Sequence, residues 1–295
     1  MYGYLTFRIG AFLSRNLPAS AAYWIGLRAA DVCYRLDPAG RMAVKSNLGR
    51  VFMGRGVVPS EKMLDGMARK TFQYFGKYLV DFFRFSRLSV DDVRKMVSIE
   101  HPEYLDQVKK LGRGVLFTTA HFGNWELGGA ALTALGCDLH AVEMPQRHAK
   151  LNNLLQNQRE ARGLKLLPTG SVVSILKCLK RGGMVAVLAD RDFSPRNDRI
   201  PFFGLPARMP VGPAWLSHRT GAVILPSFLF RLEDDTFLLR FHPPILPEQE
   251  GSVQAIRRKM VSVLEREIGE RPCQWFIFED FWKTSGQTWH GEPLE

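Results

Sequence analysis

GVLFTTAHFGNWE, residues 114–126, decides the fold. Its first seven residues, 114–120, follow the turn-forming LGRG, are apolar and β-rich, and read as a short strand. His121, Phe122 and Gly123 come next, and a helix is expected from about Asn124 through WELGGAALTALG. A strand that runs into a helix marks a β-α unit. The residues between the two lie at the carboxyl end of the strand, where open α/β sheets place their ligands.

The same alternation continues outward. DLHAVEM (138–144), MVAVLAD (184–190), GAVILPSFLF (221–230) and TFLLRFHPPI (236–245) read as further strands, the last antiparallel to the one before it across the EDD turn. LNNLLQNQREARG (151–163), SVVSILKCLKRGG (171–183) and VQAIRRKMVSVLEREIGE (253–270) read as helices, with Ser171 as an N-cap and Gly163 and Gly182 as terminators. The aromatic QWFIFEDFWK (274–283) reads as a core strand closing the sheet. Upstream, residues 1–90 are helical: a run beginning at Ser60 has acids early and bases late, as a helix dipole prefers. Ser89 is placed as the N-cap of SVDDVRKMVSI. The pattern gives an α/β fold, a mixed and mostly parallel sheet flanked by helices, with an N-terminal helical, membrane-associating extension. Residues 1–90 form the extension and 91–295 the core, in one continuous domain without repeat or linker.

Forty Lys and Arg against twenty-nine Asp and Glu leave a net charge of +11, which implies an anionic partner. Nucleic acid, anionic lipid and an acidic carrier protein all qualify, as does a generally basic surface. No nucleic-acid-binding motif accompanies the charge. The four cysteines, Cys33, Cys137, Cys178 and Cys273, are too far apart for a zinc ligand set and read as small buried residues. The longest apolar N-terminal stretch, 19–36, is interrupted by Arg28 and Asp31, so a membrane-spanning helix is not expected. Over residues 1–36 the mixture of Arg8, Arg15, Arg28 and Arg35 with Tyr, Trp, Phe and Leu fits either a segment lying on an anionic bilayer or an ordinary helix packed on the core.

A His followed five positions later by an acid occurs three times: His101–Asp106, His121–Glu126 and His290–Glu295. Only His121 stands at the end of an apolar strand. Within one helix, residues five apart diverge by about 140°. With His121 in the loop and Gly123 free to turn, the Glu126 carboxylate is expected to return to the imidazole. Such a pair suits acyl transfer to a hydroxyl. The imidazole takes the hydroxyl proton near neutral pH, and the carboxylate fixes the tautomer and stabilises the imidazolium. No G-x-S-x-G elbow is present, consistent with direct attack by the acceptor hydroxyl on a thioester.

A second block, DRDFSPRNDRIPFFG (190–204), follows the strand 184–190. Asp190, Arg191 and Asp192 fall at the ligand edge. Arg196, Arg199 and Arg208 could clamp phosphates, and Phe202 and Phe203, before Gly204, could line an acyl groove, or the block could be a salt-bridged loop over a buried aromatic pair. The helix expected to start near Pro210–Pro213 offers its N-terminus to an anion.

HFGNWE together with DRDFSPRNDRIPFFG resembles the lipid A biosynthesis acyltransferase family of lauroyl and myristoyl transferases, within the broader His-x4-acid glycerolipid acyltransferases. The resemblance runs from about Asn47-Leu48 to QWFIFEDFWK. It implies an O-acyltransferase that moves a fatty acyl chain from acyl carrier protein, or a coenzyme A thioester, to a hydroxyl of a lipid A precursor or a related glycolipid such as a phosphatidylinositol mannoside. It implies His121 as base with Glu126 as partner, Arg159 at the acceptor head group, and Asp190, Arg191, Asp192, Arg199, Phe202, Phe203 and Gly204 around the substrates. No cofactor, metal or nucleic acid is expected. The expected location is the cytoplasmic face of the bacterial inner membrane, peripheral or monotopic, because family members carry a clearer N-terminal spanning helix than this chain does.

Overall fold

The computed structural model describes residues 2–84, 88–144, 149–192, 194 and 198–284. Four helices open the chain: α1 (Tyr2–Asn16), α2 (Ala19–Leu36), α3 (Pro38–Gly54) and α4 (Glu61–Arg84). Next come α5 (Val90–Met96), β1 (Val97–Glu100), α6 (Pro102–Lys110), β2 (Val115–Thr119), α7 (Trp125–Ala134), β3 (Leu139–Glu143), α8 (Ala149–Glu160) and β4 (Lys165–Pro168). The chain continues through α9 (Val172–Lys180), β5 (Met184–Leu188), β6 (Ile200–Phe202), β7 (Leu205–Ala207), α10 (Gly212–Thr220), β8 (Val223–Arg231) and β9 (Phe237–Phe241). It closes with α11 (Pro247–Glu250), α12 (Val253–Glu270) and α13 (Phe281–Thr284).

The sheet has seven strands in the order β1-β9-β8-β2-β5-β3-β4. All neighbours are parallel except β8 and β9, whose antiparallel hairpin carries the predicted turn. β2 lies at the centre, covered on both sides. Leu116 faces a core built with α9, α10 and α12, and Val115 and Phe117 face one built with α4 and α7. A central parallel strand needs apolar residues on both faces, which is why VLFTT shows no clean alternation.

Ser89 caps α5 through a reciprocal bond pair with Asp92. α7 starts one residue after the expected Asn124, whose side chain accepts from the Leu127 N–H. The sequence pattern does not mark β1, β4 or the β6–β7 hairpin, whose strands are only three or four residues long, nor the helices α6, α11 and α13. QWFIFEDFWK does not close the sheet. Trp275 makes an isolated bridge to Phe122, and the chain then runs irregularly into α13. Its rings fill the core as expected, but Gly123 and His121 take up its backbone hydrogen bonds instead of a strand.

α2 lies along α4 at very close range, because a Cβ on Gly76 would sit 2.7 Å from the Gly26 carbonyl oxygen. The first half of α4 packs Ala68 and Phe72 against α2 and α3, and its second half sends Phe82 and Phe83 into the sheet core. Buried Asp81 accepts from the Tyr23 hydroxyl of α2 at 2.5 Å and from Asn124 Nδ2 at 3.0 Å, and pairs with Arg231 at the end of β8. Among the described residues no helix is long and apolar enough to cross a membrane. α2 does leave a stripe of Trp24, Arg28, Val32 and Leu36 exposed at four-residue intervals, on the face away from buried Ala22 and Ala30.

Candidate active site

Parallel pairing of β2 with β5 puts Thr119 opposite Leu188. Two residues further on, both strands have ended, and His121 and Asp190 stand side by side. His121 Nδ1 lies 2.9 Å from Asp190 Oδ1, and the His121 backbone N–H donates to Asp190 Oδ2 at 3.0 Å. The Trp275 indole N–H donates to the same Oδ2 at 3.0 Å. Asp190 is fully buried. Burial works to raise its carboxyl, but the facing imidazole and the N–H donors outweigh this and hold it below the ordinary carboxylate range. An ionised carboxylate only accepts, so Nδ1 carries the proton and Nε2 is left as the basic nitrogen of the neutral ring.

The loop holding His121 has little freedom. Gly123 takes a φ of +60°, and a Cβ there would lie 2.0 Å from the Leu229 carbonyl oxygen, so no other residue fits. Its N–H donates to the Gln274 carbonyl, the Phe276 N–H donates to the His121 carbonyl, and the Asn124 N–H donates to the Leu229 carbonyl, each at 2.8 Å. The Trp125 ring meets His121 edge-on at 5.4 Å.

Glu126 does not reach His121 in a hydrogen bond. It faces Arg159 of α8, whose Nε lies 3.1 Å from both carboxylate oxygens and whose Nη2 lies 2.6 Å from Oε1. Arg159 Nη1 also donates to Glu143 Oε2 at 2.8 Å, and Gln156 holds the other Glu143 oxygen. The expected His121–Glu126 contact is therefore replaced by His121–Asp190. The planar guanidinium fork takes Glu126, and Asp190 is already opposite the ring through the strand register. Burial disfavours the Arg159 charge, but Glu126 and Glu143 together more than compensate, so this group stays cationic. Tyr78, buried beside Glu126 and stacked on Trp125 at 4.4 Å, has its phenol pushed well up by burial and stays neutral.

A cavity of about 1050 Å³ opens beside these groups, at the upper end of the roughly 300–1,000 Å³ typical of small-molecule sites. On the α7 side its wall is apolar, with Phe117, Leu132, Leu139, Leu164 and Leu229. Past the strand ends it continues along Val172, Ile175 and Leu216 on the opposite face. His121, Glu126, Glu143, Arg159, Arg191 and Asp192 supply its polar lining.

Arg159, Arg191 and Asp192 are thus at the cavity, and Asp190 stands directly behind His121. Arg191 pairs with Glu279, and Asp192 lies 3.8 Å from buried Arg208. The start of α10 is at the cavity too, with Pro210, Val211, Gly212 and Pro213 in the lining, whereas other expected site residues lie elsewhere. Arg199 is exposed and outside the cavity. Phe202 is fully buried against Trp275, Phe281 and Trp282, and Phe203 and Gly204 form the positive-φ turn of the β6–β7 hairpin, so none of the three lines this cavity. An aromatic pair beside a Gly in a tight hairpin serves the core. Arg196, His290 and Glu295 lie outside the described residues. His101 is exposed and bonds Glu103, not Asp106. Sequence reasoning missed Glu143 and Trp275. Nothing local marks either, since their partners are distant in the chain.

The family model for bacterial lipid A biosynthesis acyltransferases matches residues 2–284. The chain is 25% identical over 282 residues to the phosphatidylinositol mannoside acyltransferase of Mycobacterium tuberculosis (strain CDC 1551 / Oshkosh), covering 90% of this chain and 87% of the relative. Identity is also 25% over 283 residues to the enzyme of that name from Mycolicibacterium smegmatis, covering 94% and 90%. Among solved structures, the 1-acyl-sn-glycerophosphate acyltransferase of Thermotoga maritima aligns with a TM-score of 0.42 and 13% identity over 84% of this chain and 97% of its own. With the match spanning nearly its whole length, this chain belongs to the bacterial lipid A biosynthesis acyltransferase family.

Proposed function

We propose that this protein transfers a fatty acyl chain from an acyl thioester to a hydroxyl of a glycolipid at a membrane surface, with His121 as general base and Asp190 as its partner. The carrying observation is the His121–Asp190 pair at 2.9 Å on the edge of a largely apolar cavity of about 1050 Å³. The acceptor hydroxyl gives its proton to Nε2 as its oxygen attacks the thioester carbonyl. The tetrahedral intermediate then expels the thiolate, breaking the C–S bond, and the imidazolium returns the proton to the sulfur. Asp190 keeps Nδ1 protonated throughout and balances the transient ring charge. The acyl chain lies against the apolar wall beneath α7. The buried Glu126–Arg159–Glu143 cluster shapes the polar side of the cavity near the acceptor head group.

The net charge of +11 favours an acidic donor such as acyl carrier protein over a neutral one, and coenzyme A thioesters share that anionic chemistry. The exposed Trp24–Arg28–Val32–Leu36 stripe supports peripheral contact with anionic lipid, on the cytoplasmic face of the inner membrane where such donors are found. Family membership favours a lipid A precursor as acceptor, and the mycobacterial relatives favour a phosphatidylinositol mannoside.

The test offers palmitoyl-acyl carrier protein and palmitoyl-coenzyme A to the purified protein on anionic vesicles containing either acceptor, with products read by mass spectrometry. One added acyl chain on one acceptor is expected. His121→Ala should lower turnover by roughly 10²–10⁴-fold while vesicle binding is kept. Full turnover by His121→Ala would sink the mechanism. Vesicle binding without any acyl product would favour a lipid-binding protein instead.

A further inference from the structure

Three segments remote in sequence meet at the reacting edge: the His121 loop, the end of β5, and residues 273–278. The third forms no part of the sheet, yet it bonds to the His121 loop, to Asp190 at the end of β5 and to Arg231 at the end of β8. The Gln274 carbonyl accepts from Gly123, and the Phe276 N–H donates to His121. The Gln274 side chain accepts from the Arg231 N–H at 3.0 Å and donates to the Arg231 carbonyl at 2.8 Å, standing in for a missing strand. Between these two residues Trp275 points its indole N–H at Asp190 Oδ2.

We infer that Trp275 is a positioning residue for acyl transfer: its indole N–H anchors Asp190 so that Oδ1 is presented to the His121 ring. This rests on the His121–Asp190 reading above. A carboxylate held by one imidazole and one backbone N–H can still swing about its terminal torsion. Trp275 is only 4% exposed, and its ring is wedged among Phe202, Phe281 and Trp282, so its N–H is a fixed third donor. It also replaces hydration that buried Asp190 cannot obtain from solvent. Since the same short segment pins the His121 carbonyl and the Gly123 N–H, base and partner share one reference frame.

Trp275→Phe keeps an aromatic ring and removes the donor. It should lower kcat about tenfold and leave KM for the thioester within about twofold, because a bond to the proton-transfer pair acts on the chemical step. In the unaltered protein, the Trp275 indole proton should be strongly protected from exchange with solvent in ¹H–¹⁵N spectra. Unchanged kcat in Trp275→Phe, or a rapidly exchanging Trp275 indole proton, would each overturn the inference. If Trp275→Phe does not fold, the exchange measurement decides. Full turnover by His121→Ala discredits the mechanism as a whole, whereas an inactive His121→Ala beside a fully active Trp275→Phe discredits only the role of Trp275.

Discussion

Two buried carboxylates stand at the same sheet edge and are treated in opposite ways. Glu126 is bound on both oxygens by Arg159, a group that stays charged at any working pH. Asp190 is bound by an imidazole, whose charge can change within a reaction cycle. A carboxylate tied to a permanent cation forms a fixed wall, and a carboxylate tied to a titratable ring can take part in proton transfer. The five-residue spacing of His121 and Glu126 suggests one dyad. In space the two residues belong to two separate polar clusters, both lining one cavity.

Asp190→Asn offers the hardest test of this contrast. An amide in place of the carboxylate removes the charge that balances the imidazolium and can favour the wrong tautomer. Turnover should drop roughly 10³-fold with the fold retained, as measured by single-turnover kinetics and thermal melting. A milder loss than that of Glu126→Gln would reverse the assignment of roles. Arg159→Met comes next, since it strips two buried carboxylates of their shared cation. Stability should fall by about 3 kcal/mol in a denaturant titration, and a midpoint close to the parent's would show the cluster to be well solvated. Glu126→Gln should have the smallest effect: about 1–2 kcal/mol of stability and less than about tenfold in kcat, because an amide oxygen still accepts from the guanidinium.

The edge of the sheet was legible in the sequence because a β-branched run ending in His121 and Gly123 has local meaning. Asp190 was placed at that edge for the same reason, at the end of MVAVLAD. Its partnership with His121 was not legible, because it depends on β5 lying next to β2, and strand order leaves no mark within either strand. Spacing, the strand-end position and the family resemblance all point to Glu126, and none of them registers the competing fork of Arg159, thirty-three residues away. Phe202 and Phe203 resembled groove residues because apolar side chains carry no sign of which cavity they serve. Their tight hairpin and the distant Trp275 and Phe281 turned them inward.

The hydrogen bonds that Asp81 accepts from Asn124 and from Tyr23 have a practical consequence for anyone trimming the molecule. Asn124 caps the helix that follows His121, so an expression clone starting after residue 90 would strip that cap of its acceptor and leave Arg231 without its main counter-charge. The leading helices are therefore no removable handle. Solubility is better sought by recolouring their outer stripe with polar side chains than by cutting them away.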